Sequence, residues 1–236
     1  MTTKLFQTLA AATTVAGIVA TAGAANAASL SYTGSTNFRR TNITNEAINI
    51  QKFDATLGTL KGVTLQFISD IQGSTGFENL GESPTDITVT LSSNANLRLG
   101  NTSLFNISPQ TSQTFQAVPA FDGFLDFAPP SGNSLQGLNA TQSDQKTITD
   151  SQMLQSFIGT GNLNFLFSAL ATSNVSGSGN VASFINTFAK GTVSVTYDYD
   201  PASVPEPSAA IGLGLVAGIG LMSQRKKIGS KRLTNW

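Results

Sequence analysis

The chain has 236 residues, and its 13 basic and 13 acidic side chains give a formal net charge of zero. It contains neither histidine nor cysteine, which excludes a Ser-His-Asp triad, a cysteine nucleophile and any ordinary zinc or haem site. The sequence also lacks a phosphate-binding loop motif. From these absences together we expect no catalytic residues and no cofactor.

Residues 1–27 predict a signal peptide. Lys4 supplies a positively charged start, residues 5–22 are mainly apolar, and Ala25-Asn26-Ala27 fits the small-x-small rule for cleavage. We therefore expect signal peptidase as a partner, export of the chain, and a mature protein that begins at Ala28.

Residues 28–200 predict one β domain. Short runs alternate apolar and polar residues with the period of two that is typical of a half-buried strand. In chain order the apolar positions are Leu30 and Tyr32; Ile48, Ile50 and Phe53; Val63, Leu65 and Phe67; Ile87, Val89 and Leu91; Leu97 and Leu99; 163–171; and Val193, Val195, Tyr197 and Tyr199. Turn-forming residues are expected to separate these runs at 70–76, 92–94 and 173–180.

One helix is predicted before the last strands. Thr149 followed by Gln152 forms a capping box, and Gly159 and Gly161 end the segment. The apolar face of this helix consists of Met153, Leu154, Phe157 and Ile158. Many short strands with a single crossing helix predict an all-β fold, an antiparallel β-sandwich with a jelly-roll-like arrangement.

Two pairs of acidic residues are candidate sites. Asp122 and Asp126 flank Gly123 among aromatic residues, which suits the carboxyl pair of a glycosidase; the alternative is a Phe-rich turn with solvated acids. Asp198 and Asp200 could supply oxygen ligands for Ca²⁺, and an acidic exit from the last strand into the linker is the simpler explanation.

Exposed aromatic rings would suit a glycan-binding surface. The candidates are Tyr32, Phe77, Phe121 and Phe124. The chain has 15 Phe against three Tyr, and its single Trp is the terminal Trp236. Because sugar-binding platforms use the polar handle of Trp and Tyr, this composition favours a core-filling role for the rings.

Three ordered parts follow the β domain. The linker 201–207 contains Val204-Pro205-Glu206-Pro207, whose prolines favour an extended, accessible chain. Residues 208–223 predict a short, apolar transmembrane helix. Residues 224–236 form a basic tail that begins with Arg225, Lys226 and Lys227 after Gln224, and it is expected on the cytoplasmic side of a membrane.

The predicted apolar helix is short for a permanent span. Its uncharged core, residues 209–222, gives only about 21 Å of helix, against a hydrocarbon core of about 30 Å. We therefore expect a transient membrane contact during processing. Charge is also segregated along the chain: residues 28–206 carry seven basic and 13 acidic residues, a net charge of −6, which argues against nucleic acid as a partner.

The motif Val204-Pro205-Glu206-Pro207, the apolar helix and Arg225-Lys226-Lys227 together resemble the PEP-CTERM sorting signal of Gram-negative bacteria, cyanobacteria among them. The resemblance covers 204–227 and implies processing by an exosortase, a membrane enzyme of strains that make exopolysaccharide. The nine-residue tail beyond Lys227 is longer than is usual for the signal.

The β domain resembles the choice-of-anchor E family. The residues that carry the resemblance are FDATLGTL at 53–60, FDG at 121–123, LDF at 125–127, FIGTG at 157–161 and GTVSVTYDY at 191–199. The family implies a secreted or surface β domain, and it supplies no catalytic residues.

These observations lead to one hypothesis and two alternatives. The hypothesis is an exported, non-enzymatic protein that is sorted to the outer envelope, the cell surface or the extracellular matrix, where exopolysaccharide is a candidate partner. The first alternative is a glycan-binding module. The second is a glycosidase that works with two carboxyl groups.

Overall fold

A computed structural model describes residues 14–19 and 27–202. The chain divides into a compact unit that ends at Pro201 and a second unit, Ala202–Trp236. Of the second unit only Ala202 is among the described residues, so the predicted sorting motif, apolar helix and basic tail lie outside them. The same holds for most of the predicted signal peptide.

The described elements run in chain order as follows. The strands are β1 (Thr14–Val19), β2 (Ala28–Ser35), β3 (Arg39–Arg40), β4 (Ile43–Gln51), β5 (Gly58–Asn79), β6 (Thr85–Leu99), β7 (Thr102–Ile107), β8 (Gln110–Val118), β9 (Gly132–Ile148), β10 (Asn162–Ala171), β11 (Asn174–Gly177) and β12 (Val181–Pro201). A single 3₁₀ turn (Ala55–Leu57) precedes β5, and the α-helix α1 (Ser151–Phe157) lies between β9 and β10.

The described strands form two sheets whose strand pairs are antiparallel. The first sheet has the order β1-β2-β12-β5-β9, and β3 pairs with β12. The second has the order β11-β6-β10-β4, with β7 and β8 also paired to β6. The predicted all-β antiparallel sandwich with one short helix is confirmed for the described residues.

The longest ladder joins β5 and β12. Every residue of the 21-residue β12 has a partner on β5, from Val181 opposite Asn79 to Pro201 opposite Gly58. The register shifts once, between Asp198 and Tyr199. On its other side, β12 pairs with β2 without a register shift. β12 is therefore flanked by hydrogen-bonded neighbours along its C-terminal part.

Inward-facing side chains of the two sheets form the main core. The ring of Phe67 on β5 lies 5.9 Å from that of Phe105 and 6.0 Å from that of Phe167, both on the second sheet. A smaller buried cluster forms towards the far ends of β5 and β6, around Phe77, Ile87, Val89 and Val118. Burial of these rings, together with the surrounding Ile, Leu and Val side chains, removes apolar surface from water and so stabilises the sandwich.

Two predicted turns are wrong, because β5 continues through 70–76 and β6 continues through 92–94. Gly73 is needed for space: a Cβ there would lie 2.7 Å from Leu91 Cδ1 and would also collide with the backbone oxygen of Asn186. Ser93 is fully buried within β6. Residues that usually mark turns are therefore used here where strands pack closely. The turn predicted at 173–180 is interrupted by β11.

The helix α1 differs in detail from its prediction. Its N-cap is Asp150, whose Oδ1 accepts the Met153 N–H at 2.9 Å, and not Thr149. Within α1, Leu154 and Phe157 are buried, whereas Met153 is exposed. Among the described residues, no helix has the length and apolarity that crossing a membrane requires.

Tyr197 connects the two sheets with a hydrogen bond. It lies on β12 of the first sheet with no exposed surface, and its hydroxyl donates to the Gln51 carbonyl on β4 of the second sheet at 2.7 Å. Burial, reinforced by the neighbouring Tyr32, raises the pKa of Tyr197 far above its ordinary value. The phenol is therefore held un-ionised by the fold.

We expect Tyr197→Phe to lower the free energy of unfolding at neutral pH by about 1 kcal/mol, because the Gln51 carbonyl loses its donor. Since the folded-state pKa lies above the unfolded value of about 10, the contribution of the neutral phenol is complete below that pH and declines as the pH rises further. Urea unfolding at a series of pH values checks both points. If the unfolding free energies of the parent protein and the variant fell equally above pH ~10, the pH dependence could not be assigned to the buried phenol of Tyr197.

Candidate functional site

The residues of the predicted signal peptidase site lie at the edge of the described chain. Ala25 is outside the described residues, Ala27 is exposed, and Ala28 is the first, buried residue of β2. The described strand β1 falls within the predicted signal peptide and pairs with β2. Cleavage between Ala27 and Ala28 stays a prediction.

The two calcium candidates lie on the exposed face of β12. Asp198 and Asp200 both point to solvent, and Asp200 Oδ2 lies 2.9 Å from Lys61 Nζ. Among the described residues, no three Asp, Glu, His or Cys side chains are grouped so that they could hold a metal ion. The structure thus gives Asp200 a cationic side chain as its partner, and the calcium site stays a prediction.

Asp122 and Asp126 lie on the surface of the loop 119–131. Asp122 Oδ1 accepts the Phe124 N–H at 2.9 Å, and Asp126 Oδ1 accepts the Ala128 N–H at 3.0 Å. Both are local turns of a kind that Asp commonly makes with the backbone two residues on. These carboxyl groups shape the loop, and a catalytic role for them stays a prediction.

The candidate aromatic residues divide into two groups. Tyr32 and Phe77 are buried, as a core-filling role requires. Phe121 and Phe124 are exposed, Phe124 by 70%, and the neighbouring Leu125 by 57%. We call Phe121, Phe124 and Leu125 the apolar tip of the loop 119–131. These three neighbouring side chains together form an exposed apolar patch on the loop.

A buried carboxyl group holds this loop against the first sheet. Glu78 lies on β5 with no exposed surface, and its Oε2 accepts the Phe127 N–H at 2.8 Å. Its Oε1 accepts a short hydrogen bond from the Ser131 hydroxyl, which itself accepts the Asp122 N–H at 3.3 Å. Gly132 is opposite Glu78 on β9, where a Cβ would collide with the carboxyl group.

Asn79 fixes the beginning of the same loop. Its Nδ2 donates to the Pro119 carbonyl at 2.8 Å and to the Ser83 carbonyl at 3.0 Å, while its Oδ1 accepts the Gly81 N–H at 2.9 Å. The Asn79 backbone N–H also donates to the Ser131 carbonyl at 2.8 Å. Two adjacent residues of β5 therefore anchor both ends of a loop whose tip is apolar and exposed.

Sequence reasoning missed Glu78 and Asn79. The available signal was an acid and an amide that directly follow Phe77 at the end of a long alternating strand. Buried acids and amides require hydrogen-bond partners, and here those partners come from the loop.

A cleft opens at the other end of the sandwich, beside α1. It has a volume of about 660 Å³, within the range of ligand pockets. Leu99, Leu104, Leu163 and Met153 form its apolar part. Polar groups around them come from Lys52, Asp150, Gln152, Ser156, Asn162 and Asn164.

The cleft offers both donors and acceptors on an apolar base. Gln152, Asn162 and Asn164 carry amides that can donate and accept at once, which suits a neutral ligand with many hydroxyl groups. Asp150 already uses Oδ1 as the helix cap. The arrangement therefore supports binding by hydrogen bonds and apolar contact.

No family model matches the chain, and no curated protein matches it in sequence. Similar solved structures include the infectious bursal disease virus Gx strain, at 12% identity over 87% of this chain and 49% of that chain, with a TM-score of 0.13. The T=1 particles derived from the same virus match at 10% identity over 84% and 50%, with a TM-score of 0.14. The chain spans about half the length of these proteins, and TM-scores this low support no argument about fold or function.

We expect Glu78→Gln to release the loop 119–131. The substitution replaces one acceptor oxygen with an amide NH₂ that faces existing donors, at a cost of about 1–3 kcal/mol in unfolding free energy. Hydrogen exchange at the Phe127 amide should accelerate, and the matched substitution Glu82→Gln, at an exposed acid, should change neither quantity. Unchanged exchange at Phe127 in Glu78→Gln would show that the buried carboxyl group does not hold the loop.

Proposed function

We propose that this is an exported, non-enzymatic protein of the cell surface or exopolysaccharide matrix, sorted through a PEP-CTERM/exosortase system. The observation that carries the proposal is the ordered set of Val204-Pro205-Glu206-Pro207, an apolar stretch and Arg225-Lys226-Lys227 near the end of the chain. The compact unit ends at Pro201, directly before the segment that contains this set. In this proposal the processing enzyme acts on the motif while the domain stays folded.

The positions of the domain's ends support a role in surface display. Ala28 is opposite Tyr199 in the β2–β12 ladder, so the predicted mature domain begins and ends on the same side. Val181, at the other end of β12, pairs with Asn79, which anchors the loop 119–131. The strand of 21 residues spans at most about 66 Å between these ends, at about 3.3 Å per residue.

A domain held through its C-terminal side would therefore present the apolar tip at its distant end. In this proposal the domain belongs to the choice-of-anchor E type, and its anchor is the sorting signal. Signal peptidase, an exosortase and the inner membrane are transient partners. Exopolysaccharide is the candidate lasting partner.

Removal of residues 204–236 tests the sorting proposal. We expect the truncated protein to lose its surface location, because the processing enzyme has no motif to recognise. The full chain, in contrast, should be recovered with an intact mass that shows cleavage at both its N-terminal and its C-terminal end. Replacing Arg225, Lys226 and Lys227 by Gln keeps the motif and removes the cationic stop. Unchanged location and unchanged mature mass after the truncation would disprove the proposal.

The cleft favours glycan binding as a second candidate function. Its amide groups surround an apolar base of suitable size, as described above. Phe124 at the apolar tip offers a second, separate surface for a sugar ring.

A polysaccharide array with the purified protein tests this second function. We expect Asn164→Ala to weaken binding about fivefold to tenfold, as loss of one hydrogen-bonding amide would. Phe124→Ala is the matched control, because it changes the apolar tip and leaves the cleft intact. Binding that is flat across all sugars, or that depends on Phe124 and not on Asn164, would reject the cleft as a glycan site.

A further inference from the structure

The edge of the first sheet at β2 is covered by a strand from the predicted signal peptide. β2 pairs with β12 on one side and with β1 on the other. All of β1 lies within residues 1–27. If signal peptidase cuts before Ala28, the eight-residue strand β2 becomes an edge strand with free backbone N–H and C=O groups.

Two other edge strands carry features that discourage pairing with another chain. On β9, the exposed Lys146 and Asp144 pair with the inward-facing Leu65 and Phe67, so their charges lie on the core-facing side of the edge. On β4, the register with β10 shifts near Asn45, which has a positive φ of 49°. Inward-pointing charges and local irregularities are known means of protecting an edge.

β2 has none of these protections. Its sequence, ASLSYTGS, contains no charged residue and no proline, and its ladder with β12 has no register shift. Its side chains alternate regularly between buried and half-buried. It is a regular, uncharged strand at the position that cleavage would leave open.

We propose that the exported domain dimerises by antiparallel pairing of β2 with β2 of a second copy. The first sheet then continues across the dimer as one sheet. The inference rests on the proposed function in one respect, because it requires removal of the signal peptide.

The chemistry of β2 suits a second copy of itself. A two-fold axis perpendicular to the sheet pairs the strands in antiparallel fashion, the orientation in which β1 is accepted. This symmetry keeps equivalent faces on the same side, so the hydroxyl groups of Ser31 and Thr33 meet hydroxyl groups of the partner strand. Within one domain the same pairing already occurs, between Ser31 and Thr196 at 2.7 Å and between Thr33 and Ser194 at 2.8 Å.

The charge of the domain is compatible with pairing along this edge. Residues 28–206 carry a net charge of −6, which makes two copies repel each other in general. The side chains of β2 carry no charge, and cleavage adds only the α-amino group of Ala28, which in an antiparallel pair lies at the opposite end of the edge from its counterpart. Pairing along β2 therefore brings no like charges directly opposite one another.

The test uses the protein recovered after export, with its intact mass and its solution mass measured on the same sample. We expect an N-terminus at Ala28 and twice the monomer mass in solution. Thr33→Lys, which places like charges across the edge, should weaken dimerisation about tenfold or more. Gln66→Lys adds the same charge to the same face on the central strand β5 and should leave the dimer unchanged.

Distances between spin labels on the two copies test how the strands pair. The chain has no cysteine, so each introduced cysteine gives a single labelling site per copy. Labels at Ser31→Cys should lie within about 20 Å of each other across the dimer, whereas labels at Gln145→Cys on β9, seven strand spacings apart, should be separated by roughly 34 Å. A cleaved monomer, or a dimer with equal distances at both sites, overturns the inference alone. Retention of residues 1–27 overturns it together with the signal-peptide assignment.

Discussion

The ladder between β5 and β12 is the constraint on which the other features depend. It carries the inward-facing Val193, Val195 and Tyr197 at one end and reaches Val181 at the other. Because β5 also pairs with β9, the ladder positions the edge strand as well. The main core, the smaller cluster and the anchor of the loop 119–131 are all arranged along this one pair of strands.

The sequence predicts the fold class because the buried strands alternate regularly, as at Val193, Val195 and Tyr197. It does not predict β8 or most of β9, because most of their side chains are exposed and the remaining ones do not follow a regular period of two. Nor does it predict that β5 continues through Gly73, since the reason is a contact with Leu91 and Asn186 from distant parts of the chain. Local sequence patterns identify strands that are buried on one face, and they do not identify strands that are exposed on both faces.

The residues that anchor the loop 119–131 escape sequence prediction for a similar reason. Asp122 and Asp126 stand out locally because aromatic residues surround them, yet their carboxyl groups make short-range turns. Glu78 is inconspicuous, although its partners Phe127 and Ser131 are about fifty residues away and make it the anchor of the loop. The cleft likewise combines segments near Lys52, 99–104 and 150–164, whose proximity depends on the completed sandwich.

The central position of β12 has a mechanical consequence. If the chain is pulled from Pro201 while the opposite end of the domain is held, the force runs along the axis of β12. Its neighbours β2 and β5 are hydrogen-bonded on both sides of it, so the strand must slide past both at once and many hydrogen bonds must break together. The strand that leads out of the domain is thus loaded in shear, the direction in which an antiparallel ladder resists separation without unzipping one pair at a time.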